Sequence, residues 1–174
     1  MVEGDETRER IRLTAERYHA EFPWADADAI EVYLSLVHAQ RTIAAGLERY
    51  LSSLPLPKTT TSARHTVLRT LYFAHDRLSQ NQIGRELGVS RTNITNLMDG
   101  LEEEGLIRRV VNPDDRRSNY VELTLEGERL CNVLIPAVTK FMVDGLRGFS
   151  PEQRAQLSEY LARFRTEIEA EHLQ

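Results

Sequence analysis

Six of the seven residues from Ser90 to Asn96 carry hydrogen-bonding side chains. Wound as a helix, the stretch that follows Ser90 sorts cleanly. Ile94, Leu97, Met98 and Leu101 fall on one face, while Thr92, Thr95, Asn96 and Asp99 fall on the other, and Arg91 stands at the exposed start. The polar face has the chemistry to read nucleobase edges. Arginine can grip O6 and N7 of guanine, asparagine can pair with N6 and N7 of adenine, and threonine can meet the thymine methyl or a phosphate. The plainer alternative is a solvated helix face. A second cluster, "NPDDRR" at 112–117, sets Asp115 beside Arg116 and Arg117 between two β-prone runs. Its plainer alternative is a charged turn with internal salt bridges.

Such side chains act only if the backbone aims them. Ser79 is placed to cap a short helix over 80–87, and Gly88 ends it, since glycine accepts the left-handed conformation after a helix. Ser90 caps the next helix, which Gly105 ends. Two helices joined by about three residues with glycine in the turn make a helix-turn-helix, with Val89 packing against Ile83 and Ile94. "LIRRVV" (106–111) and "NYVELT" (119–124) then read as strands of a hairpin around the 112–117 turn. A helix-turn-helix followed at once by a hairpin is a winged helix.

Long helices flank this core. Periodicity predicts helices over about 7–21, from a cap at Asp26 or Asp28 to about 52, over 62–75, from Thr124 to about 145, and from a Ser150-Pro151-Gln153 start onward. Val67, Leu68, Leu71 and Tyr72 are expected to face inward, and Pro136 is expected to kink its helix. The last helix carries an apolar row of Leu157, Leu161, Phe164 and Ile168. The expected organisation is N-terminal helices at 1–61, a winged helix-turn-helix at 62–124 and C-terminal helices at 125–174; a resemblance given below makes the terminal helices dimerisation elements of one intertwined domain. The fold class is mainly α with a small β-hairpin wing.

Composition narrows the possibilities. The 174-residue chain has a formal net charge of −5, so any nucleic-acid surface must be a local patch. Residues 60–124 carry nine Lys/Arg and nine Asp/Glu, and no acid occurs between 87 and 98. Glu102, Glu103 and Glu104 would repel phosphate, so that end of the helix is expected to point away from it. A single cysteine, Cys131, permits no internal disulfide and suits a reducing cytoplasm. No signal-peptide core or membrane-length apolar run is present. No zinc-protease motif, phosphate loop or nucleophile elbow occurs, and the five histidines are scattered, so neither an enzyme, a metal site nor a cofactor is expected.

The ordered series of helix-turn-helix, "LEEEGLI" at 101–107, Asp115 and Arg117 of the wing and "LTLEG" at 123–127 resembles the core of MarR-type transcriptional regulators. The resemblance is strong over about 62–130. It implies a cytoplasmic homodimer with interlocked terminal helices and two winged lobes on a pseudopalindromic double-stranded DNA operator. It also implies a repressor released by a small aromatic or anionic ligand, or by thiol oxidation. On that footing the DNA-binding residues are Ser90, Arg91, Thr92, Asn93, Thr95 and Asn96 of the recognition helix, with Arg117 inserted in a minor groove, Asp115 orienting it, and Arg108, Arg109 and Arg116 on phosphates. Asn96 stands where the family often has a longer basic residue. Tyr33, His38 and Arg41 on one helix and Arg64, His65 and Tyr72 on another are candidates to hold a small aromatic anion, although such residues more often fill cores. The urate-responsive branch is a poor match, because Tyr18 and Thr66 stand where that branch has a tryptophan and an aspartate. Cys131 reads as a packed thiol. The rival function is a winged helix that mediates protein interaction without specific DNA binding.

Overall fold

The computed structural model describes residues 2–56, 61–113 and 119–172, with side chains from residue 6 to residue 171. The chain divides into two compact units, residues 1–62 and 63–174.

In the first unit, α1 (Val2–Glu21) packs along α2 (Ala27–Ser53). α1 begins five residues earlier than the periodicity predicts, because the sequence from Val2 to Glu6 carries no apolar repeat to count. Asp26 caps α2, accepting from the backbone N–H groups of Asp28 at 2.8 Å and Ala29 at 3.1 Å. Its carboxylate satisfies donors that the first turn leaves without partners. Leu51 is buried near the end of α2, before Leu54 leaves helical geometry. Glu48 reaches past the turn and accepts from both the N–H (2.9 Å) and the hydroxyl (2.5 Å) of Ser62.

The second unit holds α3 (Ser62–Phe73) from Ala63 on, β1 (Leu78–Ser79), α4 (Gln80–Leu87), α5 (Arg91–Glu103), β2 (Ile107–Val111), β3 (Asn119–Leu123), α6 (Leu125–Gly145) and α7 (Pro151–His172). The three strands form an antiparallel sheet in the order β1-β3-β2. Ile107 faces Leu123 and Val111 faces Asn119 across the hairpin, while Leu78 pairs with Val121 on the other edge. β1 is an addition to the expected hairpin. At two residues it is too short to show an alternating pattern.

The core gathers Val67 and Leu68 of α3, Ile83 of α4, Ile94, Met98 and Leu101 of α5, Ile107 and Val121 of the sheet, and Cys131, Leu134 and Val138 of α6. α3 ends at Phe73, two residues before the expected boundary. Tyr72, expected inside, is 40% exposed, because its hydroxyl donates to Asn132 Oδ1 at 3.0 Å at the surface of α6. α6 runs through Pro136 as one helix. Ser150 and Gln153 close the expected capping box of α7, with Gln153 N donating to Ser150 Oγ at 3.3 Å and Ser150 N to Gln153 Oε1 at 2.8 Å. Every described side chain of α7 is exposed, including Leu157, Tyr160, Leu161, Phe164 and Ile168.

Candidate nucleic-acid interface

The helix-turn-helix is built by caps. Ser79 and Gln82 form a full capping box at the start of α4. Gly88 ends that helix at φ 62°, a left-handed conformation that a Cβ would strain. Ser90 then caps α5, its hydroxyl accepting from Asn93 N at 3.3 Å. α4 and α5 meet closely at Gly84, where an added Cβ would lie 3.3 Å from Ile94 Cγ2. Ile94, Met98 and Leu101 are buried and fix the rotation of α5 about its axis.

That rotation leaves Arg91, Thr92, Asn93 and Asn96 exposed and Thr95 half-buried. The six candidate residues of this helix therefore share its outer, N-terminal part, with Ser90 committed to the cap. Arg91 makes no ion pair among the described residues. The acidic end of α5 is handled differently. Glu102 pairs with Arg109, Glu104 pairs with Arg64 at 2.5 Å, and Glu103 is exposed. Two of the three glutamates are thus matched by arginines, a pairing that no local pattern announces.

The wing strands place the other cations. Arg108 is exposed and donates through Nη2 to Glu122 Oε2 at 2.9 Å, and Arg77 Nε meets the other oxygen of Glu122 at 3.1 Å. Arg109 is more enclosed. Its guanidinium donates to Asp99 at 2.5 Å, to Glu102 and to Gln80 Oε1 at 3.3 Å. It was expected to meet phosphate, yet here it joins the wing to α5 and α4. Asp115, Arg116 and Arg117 lie outside the described residues.

Gln80 is the residue that sequence reasoning passed over. Its Nε2 donates to Thr95 Oγ1 at 2.7 Å. The two are fifteen positions apart, and only the fold of the helix-turn-helix sets the start of α4 against the second turn of α5.

The candidate ligand residues are dispersed in character. Tyr33, His38 and Arg41 are exposed on α2. On α3, Arg64 pairs with Glu104, His65 is buried, and Tyr72 bonds to Asn132. Burial, with Arg69 adding to it, holds the His65 imidazole below its ordinary value. Cys131 is fully buried, with Sγ 3.9 Å from the carbonyl of Leu68, and burial together with Glu128 pushes its thiol up to about 11. No cluster of metal-ligating side chains occurs among the described residues, and no described helix is long and apolar enough to cross a membrane.

Residues 59–118 match the family model described as MarR family. The HTH-type transcriptional repressor YetL of Bacillus subtilis (strain 168) is 28% identical over 138 residues, covering 78% of this chain and 80% of that protein. The solved transcriptional regulator PA3341 is 29% identical with a TM-score of 0.69, covering 80% of this chain and 98% of that one. PcaV of Streptomyces coelicolor, solved with its natural ligand, shares the fold at 23% identity and a TM-score of 0.62, covering 78% of this chain and 90% of that one. With its helix-turn-helix, three-stranded wing sheet and flanking helices, the chain has the fold of the solved MarR-type winged-helix regulators, and its residues 59–118 match the MarR family.

Proposed function

We propose that this regulator is a repressor that binds a pseudopalindromic DNA operator as a homodimer and is released by a small aromatic anion. The observation that carries the DNA-binding part is the first two turns of α5. They present Arg91, Thr92, Asn93 and Asn96 outward, free of acids, on a helix whose inner face is locked by buried Ile94 and Met98. Such a surface is suited to the major groove, with the wing beside it and Arg117 reaching the minor groove. Arg91 is suited to grip guanine, and Arg108, Arg109 and Arg116 are the candidates for phosphate contacts, Arg109 once it exchanges its present partners. Repression is supported by the name of the Bacillus relative.

The homodimer is supported by apolar side chains that water would otherwise meet. Leu157, Tyr160, Leu161, Phe164 and Ile168 of α7 are each 37–58% exposed, a row that a second copy would cover. The effector part rests on the exposed Tyr33, His38 and Arg41 of α2, and on the PcaV structure with its natural ligand as a precedent in the same fold. Arg64, His65 and Tyr72 are already engaged or buried, so their share in a ligand site requires them to exchange partners.

The test is fluorescence anisotropy with a duplex from upstream of the chain's own gene, against a shuffled duplex, across a salt series. The expected result is sequence-preferring, salt-sensitive binding that Arg117→Ala weakens by roughly 1–3 kcal/mol. Equal affinity for both duplexes at every salt concentration would favour a protein-interaction module instead.

A further inference from the structure

Thr95 offers two different groups to DNA. Its hydroxyl can bond a phosphate or a base acceptor, whereas its methyl can pack on the thymine methyl. The surrounding hydrogen bonds decide between them. Thr95 Oγ1 lies 2.9 Å from the carbonyl oxygen of Arg91, one helical turn back. A carbonyl only accepts, so the single hydroxyl proton goes there. On its other side the same oxygen faces the side-chain amide of Gln80 at 2.7 Å. The orientation of that amide is fixed independently. Its far atom lies 3.3 Å from Arg109 Nη2, and a guanidinium only donates, so the far atom is the oxygen and the near one is Nε2. Arg109 is in turn anchored by Asp99 and Glu102.

Donation therefore runs one way, from Arg109 to Gln80, from Gln80 to Thr95 and from Thr95 to the Arg91 carbonyl. Each link fixes the next. At its end, Thr95 has no proton left for a phosphate, for guanine O6 or N7, or for thymine O4, all of which only accept. Its remaining lone pair can take only a donor. Thr95 is half-buried and lines a groove of about 190 Å³ together with Arg91, Gln80 and Asn119.

We propose that Thr95 is a specificity-determining residue that reads thymine through its Cγ2 methyl, and that Gln80 and Arg109 are positioning residues that withdraw its hydroxyl from recognition. This rests on the reading of α5 as the DNA-recognition helix. It narrows what this position can prefer: an apolar contact with the thymine C5 methyl, which cytosine and deoxyuridine both lack.

The experiment first selects a duplex with the full-length protein from a library of random sequences. Each thymine of that duplex is then replaced singly by deoxyuridine, which removes only the C5 methyl. For the wild type, one thymine in each half-site is expected to be sensitive, losing about fourfold in affinity, the worth of burying one methyl-sized group. Thr95→Ser keeps the hydroxyl and its bonds but lacks the methyl, and should bind the thymine and deoxyuridine duplexes equally. Gln80→Ala should bring the same ratio toward one, whereas a merely structural role would weaken binding to both duplexes and leave their ratio unchanged. Wild-type binding without any methyl-sensitive thymine, or a Thr95→Ser variant that keeps the discrimination, would overturn the assignment of Thr95. A Gln80→Ala variant with the parental ratio would overturn the positioning role. Selection that enriches no duplex would instead overturn the DNA-binding reading beneath both.

Discussion

Gly127→Ala is the substitution whose consequence the structure determines most closely. Gly127 lies in the first turn of α6, buried, with its N–H donating to Thr124 Oγ1 at 3.1 Å. Thr124 is tied to the segment just after α5: its N–H donates to the Leu106 carbonyl at 3.0 Å and its hydroxyl to the Gly105 carbonyl at 2.5 Å. A Cβ on residue 127 would fall well inside van der Waals contact with the Leu106 carbonyl oxygen, 3.0 Å from Leu106 C and 3.2 Å from Leu123 Cδ2. The main obstacle is backbone, which cannot swing aside as a side chain can. The start of α6 must withdraw from the α5–β2 junction and stretch both Thr124 bonds. Overpacking of this kind costs about 1–3 kcal/mol. Two weakened hydrogen bonds add about 1 kcal/mol each. Replacing glycine by alanine in a helix returns about 1 kcal/mol. The net expectation is a loss of roughly 2–4 kcal/mol. Urea unfolding at one fixed protein concentration measures it. Gly145→Ala is the internal control, because a Cβ at the far end of α6 meets nothing within 4 Å. It should leave stability unchanged or raise it by up to about 1 kcal/mol. A Gly127→Ala protein as stable as the parent would refute the argument.

Three further outcomes follow from other parts of the fold. Removing residues 150–174 takes away the α7 apolar row and should give monomer or aggregate by sedimentation, whereas a soluble truncated dimer with parental DNA affinity would contradict the role given to α7. Burial, with Arg69 adding to it, lowers the His65 pKa, so near and below pH 6.5 the unfolded chain binds a proton more readily than the folded chain. Its contribution is complete above about pH 6.5 and declines as pH falls below that value, and His65→Gln should flatten this part of a urea-midpoint profile; an identical slope in the variant would exclude His65 as its source. Cys131, with its thiol pushed up to about 11 and shut in the core, should resist a maleimide in the native protein and react at once in denaturant, and rapid native labelling would contradict the packing described.

The winged helix was legible because its signals are local. Ser79 and Ser90 as caps, Gly88 and Gly105 as left-handed stops, and Ile83, Ile94, Met98 and Leu101 at helical spacing each declare an element within a few residues. The Leu-Thr-x-x-Gly stretch was legible as a motif but not as a mechanism, since the pressure on Gly127 comes from Leu106, twenty-one positions earlier. Pairings between distant residues were hidden for the same reason. Nothing near Arg109 in the chain marks its ties to Asp99, Glu102 and Gln80, and nothing near Gln80 points to Thr95. Tyr72 misled through periodicity: four residues after Leu68 it shares the inward stripe, but a phenol can keep its ring against the protein and its hydroxyl at the surface. The wing tip rests on sequence alone, because 114–118 lie outside the described residues.

Hydroxyl-radical footprinting of the intact protein on its selected duplex addresses the central claim, that two copies of α5 read two related half-sites. The account predicts two protected patches related by a pseudo-dyad, with centres about one helical turn, ~10 base pairs, apart. Protection of a single isolated patch, or uniform protection without sequence preference, would contradict it.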